Sequence, residues 1–475
     1  MKIIISFATE DFVTPEHDEV LLRLTSILSE RGITGSFHLT GELARKLRER
    51  RRTDVIDALK KHEIGYHSNT HGAFPFIGEV CENNTWDDAV SILMSTEAKG
   101  ILDIIDIFDR RPGYYVTEFI KAPQLIYALR SLGIDTIGYS NLPNMGFPFS
   151  WYTGSICFNA PNMGIESPPL PGRLENLKKE FDGFYSRAEE GECDGVVKMF
   201  NHPYKFIYNN TIASWVGLNN IYKKYDIHAD WITPQASLYD KKTVNDLFID
   251  FESIIDYALS QSNVEFLSTT DLTNQYRKLP EKFIDMDTVI KLSKEIRKNF
   301  TYINANGLFY SPSEIFGMLL YALKYYSDTN HLPETVPYRD LLGPLNIAPQ
   351  DPEGRVLKVE KILAEIKYID REAEFYKRMP SYIEIDGIKI PPGTALCAFA
   401  ELTEMLYTVG KVENIPLKKF PDFPKIAEEA YFIVDKFTKA SYPDTFTGRN
   451  ICTLCKLQSW TYKPGCSVPK LNSAI

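Results

Sequence analysis

The sequence predicts an α/β fold: a parallel barrel or doubly wound sheet over roughly the first 275 residues, followed by a smaller all-helical region. Three observations predict it. Short apolar runs alternate with amphipathic helical stretches through the first part of the chain. The first run ends in two adjacent carboxylates, Glu10 and Asp11, where a barrel strand would deliver them to a catalytic rim. The texture then changes at Lys278-Leu279-Pro280-Glu281, beyond which Pro-marked helices dominate. A chain of 475 residues is too long for one ordinary domain, and the expected division is 1–278 and 281–475.

Residues 3–7 form a continuous apolar run, as a strand buried on both faces requires. Thr14-Pro15-Glu16 opens a helix whose Val20, Leu21, Leu24, Ile27 and Leu28 share one face, and Gly32 ends it. Gly35-Ser36-Phe37-His38-Leu39 is the second strand, with helices expected over 41–49 and 53–61. Glu63-Ile64-Gly65-Tyr66 is the third strand. A long helix covers 86–108 and is followed by Arg110-Arg111-Pro112-Gly113. Helix 122–132, strands 134–139, 155–158 and 195–200, helices 211–225 and 243–261, and strand 264–267 continue the alternation. In the second part, helices over 313–328, 358–377 and 425–439 suggest degenerate helix-pair repeats. They are marked by Leu332-Pro333-Glu334-Thr335-Val336, Met379-Pro380-Ser381-Tyr382-Ile383 and Tyr442-Pro443-Asp444-Thr445-Phe446.

Composition excludes some functions. A formal charge of −10 argues against a protein that grips nucleic acid or anionic membrane. The run Arg48-Glu49-Arg50-Arg51-Arg52 is a solvated face at a helix end. Seven scattered Cys do not form a disulfide framework, and Cys452-x-x-Cys455 with Cys466 lacks a fourth zinc ligand, so free thiols are expected. No window approaches a membrane span, and the first residues enter a folded pattern without the apolar run of a signal peptide, which points to the cytoplasm.

The densest chemistry lies just after the third strand, in His67-Ser68-Asn69-Thr70-His71. Two of only eight histidines stand four residues apart; one helical turn would project both imidazoles from one face. Two neutral imidazoles and a carboxylate hold a divalent metal while leaving a position open for water. The structural alternative is a capping pair with Ser68 and Thr70 as turn residues. His38, on a strand, reads as a satisfied core residue, and His228-Ala229-Asp230-Trp231 as packing or as a minor sugar-stacking candidate.

The Glu10-Asp11 pair, Gly35-Ser36-Phe37 and His67-Ser68-Asn69-Thr70-His71 resemble the polysaccharide deacetylases, a family of carbohydrate esterases whose histidine motif is His-Ser/Thr-x-Ser/Thr-His. Arg111-Pro112, Phe200-Asn201-His202-Pro203 and Phe266-Leu267-Ser268-Thr269-Thr270 fall where later family motifs fall, so the resemblance covers about residues 1–277. It implies a deformed (β/α)7-type barrel and a divalent metal, usually zinc. Carried over, His67, His71 and Asp11 are metal ligands, Glu10 is the general base, His202 the general acid, and Arg111 orients the base. The first motif departs from the family's Thr-Phe-Asp-Asp-Gly: here it reads Phe7-Ala8-Thr9-Glu10-Asp11-Phe12. In an alternative register Glu10 is the ligand and the base position is Ala8. The loop after Arg111-Pro112 lacks the usual Pro-x-Gly, and Asn141-Leu142 replace an Asp-rich motif.

The implied function is a metal-dependent hydrolase removing an N-acetyl group from an amino sugar of a glycan or glycoconjugate. His202-Pro203 also resembles ring-opening amidohydrolases of the allantoinase type, which gives a cyclic amide or ureide hydrolase as the alternative. A non-catalytic carbohydrate-binding protein is the third reading, suggested by Ala8. Residues 281–410 resemble pseudomurein-binding repeats, which would imply an anchor to cell-wall glycan.

Overall fold

The computed structural model describes all residues except 72–75, 117–120, 139–145, 209–237, 349–351, 430–445 and 468–475. The expected helix 211–225, the stretch 228–231, Asn141 and Leu142, and most of the expected helix 425–439 lie outside the described residues. The first part alternates as anticipated. Its order is β1 (Lys2–Thr9), α1 (Glu16–Glu30), β2 (Ser36–Leu39), α2 (Gly41–Glu49), α3 (Thr53–Leu59), β3 (Glu63–Tyr66), α4 (Ile77–Asn83), α5 (Trp86–Phe108) and β4 (Tyr115–Val116). Then come α6 (Pro123–Ser131), β5 (Thr136–Gly138), β6 (Phe149–Tyr152), β7 (Ser155–Phe158), β8 (Asn162–Gly164), α7 (Arg173–Glu189), β9 (Val196–Asn201), α8 (Lys241–Ser260), β10 (Glu265–Phe266) and α9 (Thr269–Tyr276).

These strands build one curled, mostly parallel sheet in the order β6-β7-β5-β4-β3-β2-β1-β9-β8, with β10 beside the start of β1. The period of two along each strand divides its residues between two cores. Ile3, Ile5 and Phe7 of β1 pack outward with Phe37, Leu39, Ile64, Tyr66, Val197 and Met199 against the helices. Ile4 faces inward with Phe149, Trp151, Ile156, Phe158 and Val196. The same inward phase of β1 continues through Ser6 and Ala8 to Glu10. Parallel pairing of Thr9 with Leu39 and of Leu39 with Tyr66 then aligns the carboxyl ends of β1, β2 and β3 at one rim.

The second part is a duplication. The first copy runs β11 (Phe283–Asp285), α10 (Met286–Lys298), β12 (Ile303–Ala305), β13 (Leu308–Tyr310), α11 (Pro312–Thr329) and β14 (Thr335–Pro337). The second repeats that order as β15 (Val356–Lys358), α12 (Val359–Tyr376), β16 (Ile383–Ile385), β17 (Ile388–Ile390), α13 (Pro392–Thr408) and β18 (Asn414–Pro416). In each copy the first strand pairs with the last, and a hairpin separates the helices. The hairpins turn at Asn306-Gly307 and Asp386-Gly387, with φ of 55° and 77°, and 54° and 73°, the left-handed pairs that two-residue hairpin turns demand. Helix α10 packs on α13 and α11 on α12, so each copy's first helix lies against the other copy's second.

Two expectations change here. The region read as all-helical also carries four two-stranded ribbons, because its strands are three residues long and show no alternation a sequence pattern can register. Its proline motifs are out of phase: Leu332-Pro333 leads into the closing strand β14, whereas Met379-Pro380 leads into the hairpin strand β16. The third motif lies outside the described residues but for Phe446.

The expected division near residue 280 also does not persist along the chain. Helix α14 (Arg449–Gln458) packs on α4 and α6, and β19 (Lys463–Pro464) pairs antiparallel with β6, making an eleventh strand of the first sheet. Ile451, Leu454, Leu457 and Tyr462 join the barrel's helix-side core. The two parts meet at a buried ion pair, Lys463 Nζ to Glu314 Oε1 at 2.7 Å, with both side chains 3% exposed. Glu314 also accepts from Ser311 N at 2.8 Å in the capping box of α11, and Tyr338 donates its hydroxyl to it. No helix among the described residues is long and apolar enough to cross a membrane.

This joint is testable. Lys463→Met leaves a buried carboxylate without its cation and should cost about 3–5 kcal/mol, read as a lower urea midpoint. The double variant Glu314→Gln, Lys463→Met should recover most of that loss. Equal loss in both would assign the effect to packing instead of charge.

Candidate metal and acid–base site

At the rim, three side chains converge. Glu10 Oε2 lies 2.9 Å from His67 Nε2 and 2.8 Å from His71 Nε2, and all three residues are buried. Their ligand atoms fall within 4.8 Å of one another, and no other group of three His, Cys, Asp or Glu comes together this way among the described residues. The histidines do not share a helical turn. Residues 67–71 form a bend in which Ser68 and His71 take left-handed φ of 65° and 46°, and this fold-back sets the two rings 4.9 Å apart. Ser68 Oγ closes the bend by accepting from His71 N at 2.9 Å.

The chemistry of the pair is fixed from behind. His67 Nδ1 lies 2.9 Å from the carbonyl oxygen of Val116, which can only accept, so Nδ1 carries a proton. In the neutral ring Nε2 is then a bare lone pair facing a carboxylate oxygen. Two acceptors at that distance need a cation between them, either a second proton or a metal ion. The set of two imidazole nitrogens and one carboxylate oxygen suits zinc and similar divalent ions. Burial alone would raise the Glu10 carboxyl, but His71, His202 and His67 overcome it and hold its pKa well below the usual range.

Two sequence expectations are corrected by this geometry. Asp11 does not join the cluster. Its side chain is turned to the loop instead: its Oδ1 accepts from Val13 N at 2.9 Å and Thr14 N at 3.0 Å, shaping the turn into α1. Tyr208 donates to its Oδ2 at 3.2 Å. Glu10 thus stands where Asp11 was expected, and Ala8 occupies the inward position below it. Arg111 is exposed and donates to the carbonyl of Leu132. It precedes β4 by four residues, so it sits at the amino end of the parallel strands, opposite the rim.

His202 does reach the site. It follows β9, and its Nε2 is 3.9 Å from Glu10 Oε1. Its Nδ1 lies 2.6 Å from Glu166 Oε2, and the same oxygen accepts from His202 N at 3.0 Å. Glu166 is a residue the sequence reading missed. The pairing of Gly164 with Phe200 carries two residues further to put Glu166 beside His202. Burial would raise the Glu166 carboxyl, but His202 and Lys205 bring it below its ordinary value. The rings of Phe200 and Tyr204 flank His202 at 4.8 and 5.3 Å. His38 stays in the interior, 3.3 Å from Ser6 Oγ, with its pKa pushed well below the usual value by burial. All seven cysteines are free.

No family model and no curated protein matches the chain. Among solved structures it is similar to a protein assigned as a polysaccharide deacetylase from Mycobacterium smegmatis, at 13% identity and a TM-score of 0.37, covering 57% of this chain and 88% of the other. An allantoinase gives 10% identity, a TM-score of 0.35, and coverage of 57% and 89%. The alpha-amylase AmyC from Thermotoga maritima gives 9% identity, a TM-score of 0.40, and coverage of 69% and 85%. At such identities and scores, any statement of chemistry rests on the side chains described above.

Burial raises the Asp11 carboxyl from its ordinary 3.8 to about 7, only partly opposed by the Thr14 and Val13 amides. A raised folded-state pKa gives stability that is complete below 3.8 and is lost as pH rises through about 7. Metal-free protein carrying Asp11→Asn should therefore lose less stability than the parent between about pH 4 and pH 7. Urea midpoints across that range check it; parallel curves for the two proteins would refute it.

Proposed function

We propose that this chain is a metal-dependent hydrolase that removes an acyl group, most simply acetyl, from the nitrogen of an amino sugar in a glycan or glycoconjugate. One observation carries the proposal: Glu10, His67 and His71 present a carboxylate oxygen and two imidazole nitrogens within 4.8 Å of one another. Glu10, His67 and His71 would hold the ion. A divalent ion held there supplies Lewis acidity toward an amide carbonyl and a hydroxide-like nucleophile at neutral pH.

The proton transfers fall to His202. Glu166 accepts the Nδ1 proton, leaving Nε2 as a lone pair directed at the cluster. His202 takes a proton at Nε2 as water adds to the acyl carbon. It returns that proton to the departing nitrogen as the C–N bond breaks, giving a carboxylic acid and an amine, whose remaining acidic proton passes to the amine to leave carboxylate and ammonium. One residue thus serves in turn as base and acid, which accounts for a site with Ala8 where a separate carboxylate base was sought. Phe200 and Tyr204 shield the imidazole from bulk water on two sides.

The test couples binding to turnover. The protein should bind about one divalent ion, and His67→Ala should weaken it by an order of magnitude or more. It should release acetate from N-acetylated amino-sugar oligosaccharides. His202→Ala should lose roughly 10²–10⁴ in rate with metal still bound, whereas Glu10→Gln should lose the metal. Ring opening of cyclic ureides without acetate release would favour the alternative substrate class. Glycan binding without turnover under any metal would make this a binding protein.

A further inference from the structure

We propose that Glu97, on the outer helix α5, is a positioning residue that holds the His67–His71 bend in its ligand-presenting shape. The proposal rests on the metal reading above and adds to it a residue outside the Glu10, His67 and His71 set. Glu97 is 4% exposed. Its Oε2 accepts from the backbone N–H of Asn69 at 2.9 Å and from the Tyr66 hydroxyl at 2.7 Å. Asn69 is the midpoint of the bend, two residues from each histidine, so one carboxylate oxygen anchors both the end of β3 and the centre of the loop.

The bend needs an anchor because its backbone is strained. Ser68 and His71 sit at positive φ, a conformation that side chains with a Cβ adopt only when their surroundings impose it. The surroundings form a grip on Asn69. Gly41 N donates to Ser68 O at 3.0 Å and Glu42 N to Asn69 O at 2.8 Å, from the start of α2. Arg45 donates to Asn69 Oδ1 at 3.0 Å and to Asp103 of α5 at 2.6 Å, tying the two helices across the loop.

The approach of α5 is close enough to require glycine. A Cβ on Gly100 would lie 2.6 Å from the Tyr66 hydroxyl and 2.9 Å from Asn69 Cα, and one on Gly41 would lie 2.6 Å from Gly100 Cα. Within this grip, Glu97 supplies the acceptor for the Asn69 amide. Without it the amide is buried unsatisfied, and the peptide between the two left-handed residues is free to rotate. The imidazoles would then lose the orientation that aims both Nε2 atoms at Glu10.

Three substitutions in the full chain, titrated with Zn²⁺ against a competing chelator, test this. Glu97→Gln keeps an oxygen able to accept both bonds and should bind within about 3-fold of the parent. Glu97→Leu keeps the volume without the acceptor and should weaken binding about 10- to 100-fold, the usual effect of removing an outer-layer partner. Glu97→Asp keeps the charge but is one methylene short of the Asn69 amide. It should resemble Leu, and it decides the matter if the Leu variant fails to fold. Parent-like affinity in either the Leu or the Asp variant, or a Gln variant as weak as Asp, would overturn the proposal. If the parent binds no Zn²⁺, the metal reading fails by itself. Positioning is then read from the His67 and His71 imidazole NMR resonances, which should move in Leu and Asp but not in Gln; unmoved resonances would overturn it.

Discussion

Everything at the rim depends on the register of the parallel strands around β1. Thr9, Leu39 and Tyr66 are paired in a row, so the next residues outward, Glu10 and His67, leave the sheet at the same level. On the other side Phe7 pairs with Asn201, which brings His202 up beside them, and β8 follows β9 in step to deliver Glu166. A slip of one residue in any of these ladders would turn its inward set outward. The chemistry is therefore assembled by backbone hydrogen bonds first, and the loops only finish it.

Much of this was legible in the sequence because it is local. The strands 2–9, 36–39, 63–66 and 196–201 are apolar runs bounded by breakers, and α1 repeats its apolar residues every three or four positions. The histidine pair was legible from spacing, although the mechanism that brings the rings together is a left-handed bend and not a helical turn. The choice between Glu10 and Asp11 was within reach too. Ile3, Ile5 and Phe7 face the helices, so the even positions face inward, and Glu10 continues that phase.

What escaped is non-local. Glu166 acquires meaning only when β8 lies beside β9, thirty-six residues away in sequence from His202. Arg111 looked functional because of its neighbour Pro112, yet its position before a parallel strand assigns it to the opposite end of the sheet. In the duplicated region, Asn306-Gly307 and Asp386-Gly387 were the true markers of the repeat; the proline motifs, though more conspicuous, fall at different points of the two copies. Nothing in Lys463-Pro464 announces a strand, because pairing over two residues is dictated by the edge it meets.

That last strand bears on biogenesis. Synthesis runs from the amino terminus, so β6 emerges from the ribosome more than three hundred residues before its partner β19. Until then the edge of β6 offers unpaired backbone groups and the flank later covered by α14 stays bare, the kind of surface that recruits other nascent chains or chaperones. The duplicated region can collapse in the interval, since its two copies complete each other. The first half of the polypeptide therefore waits for a helix and a strand made more than three hundred residues later, even though its own strands are made first.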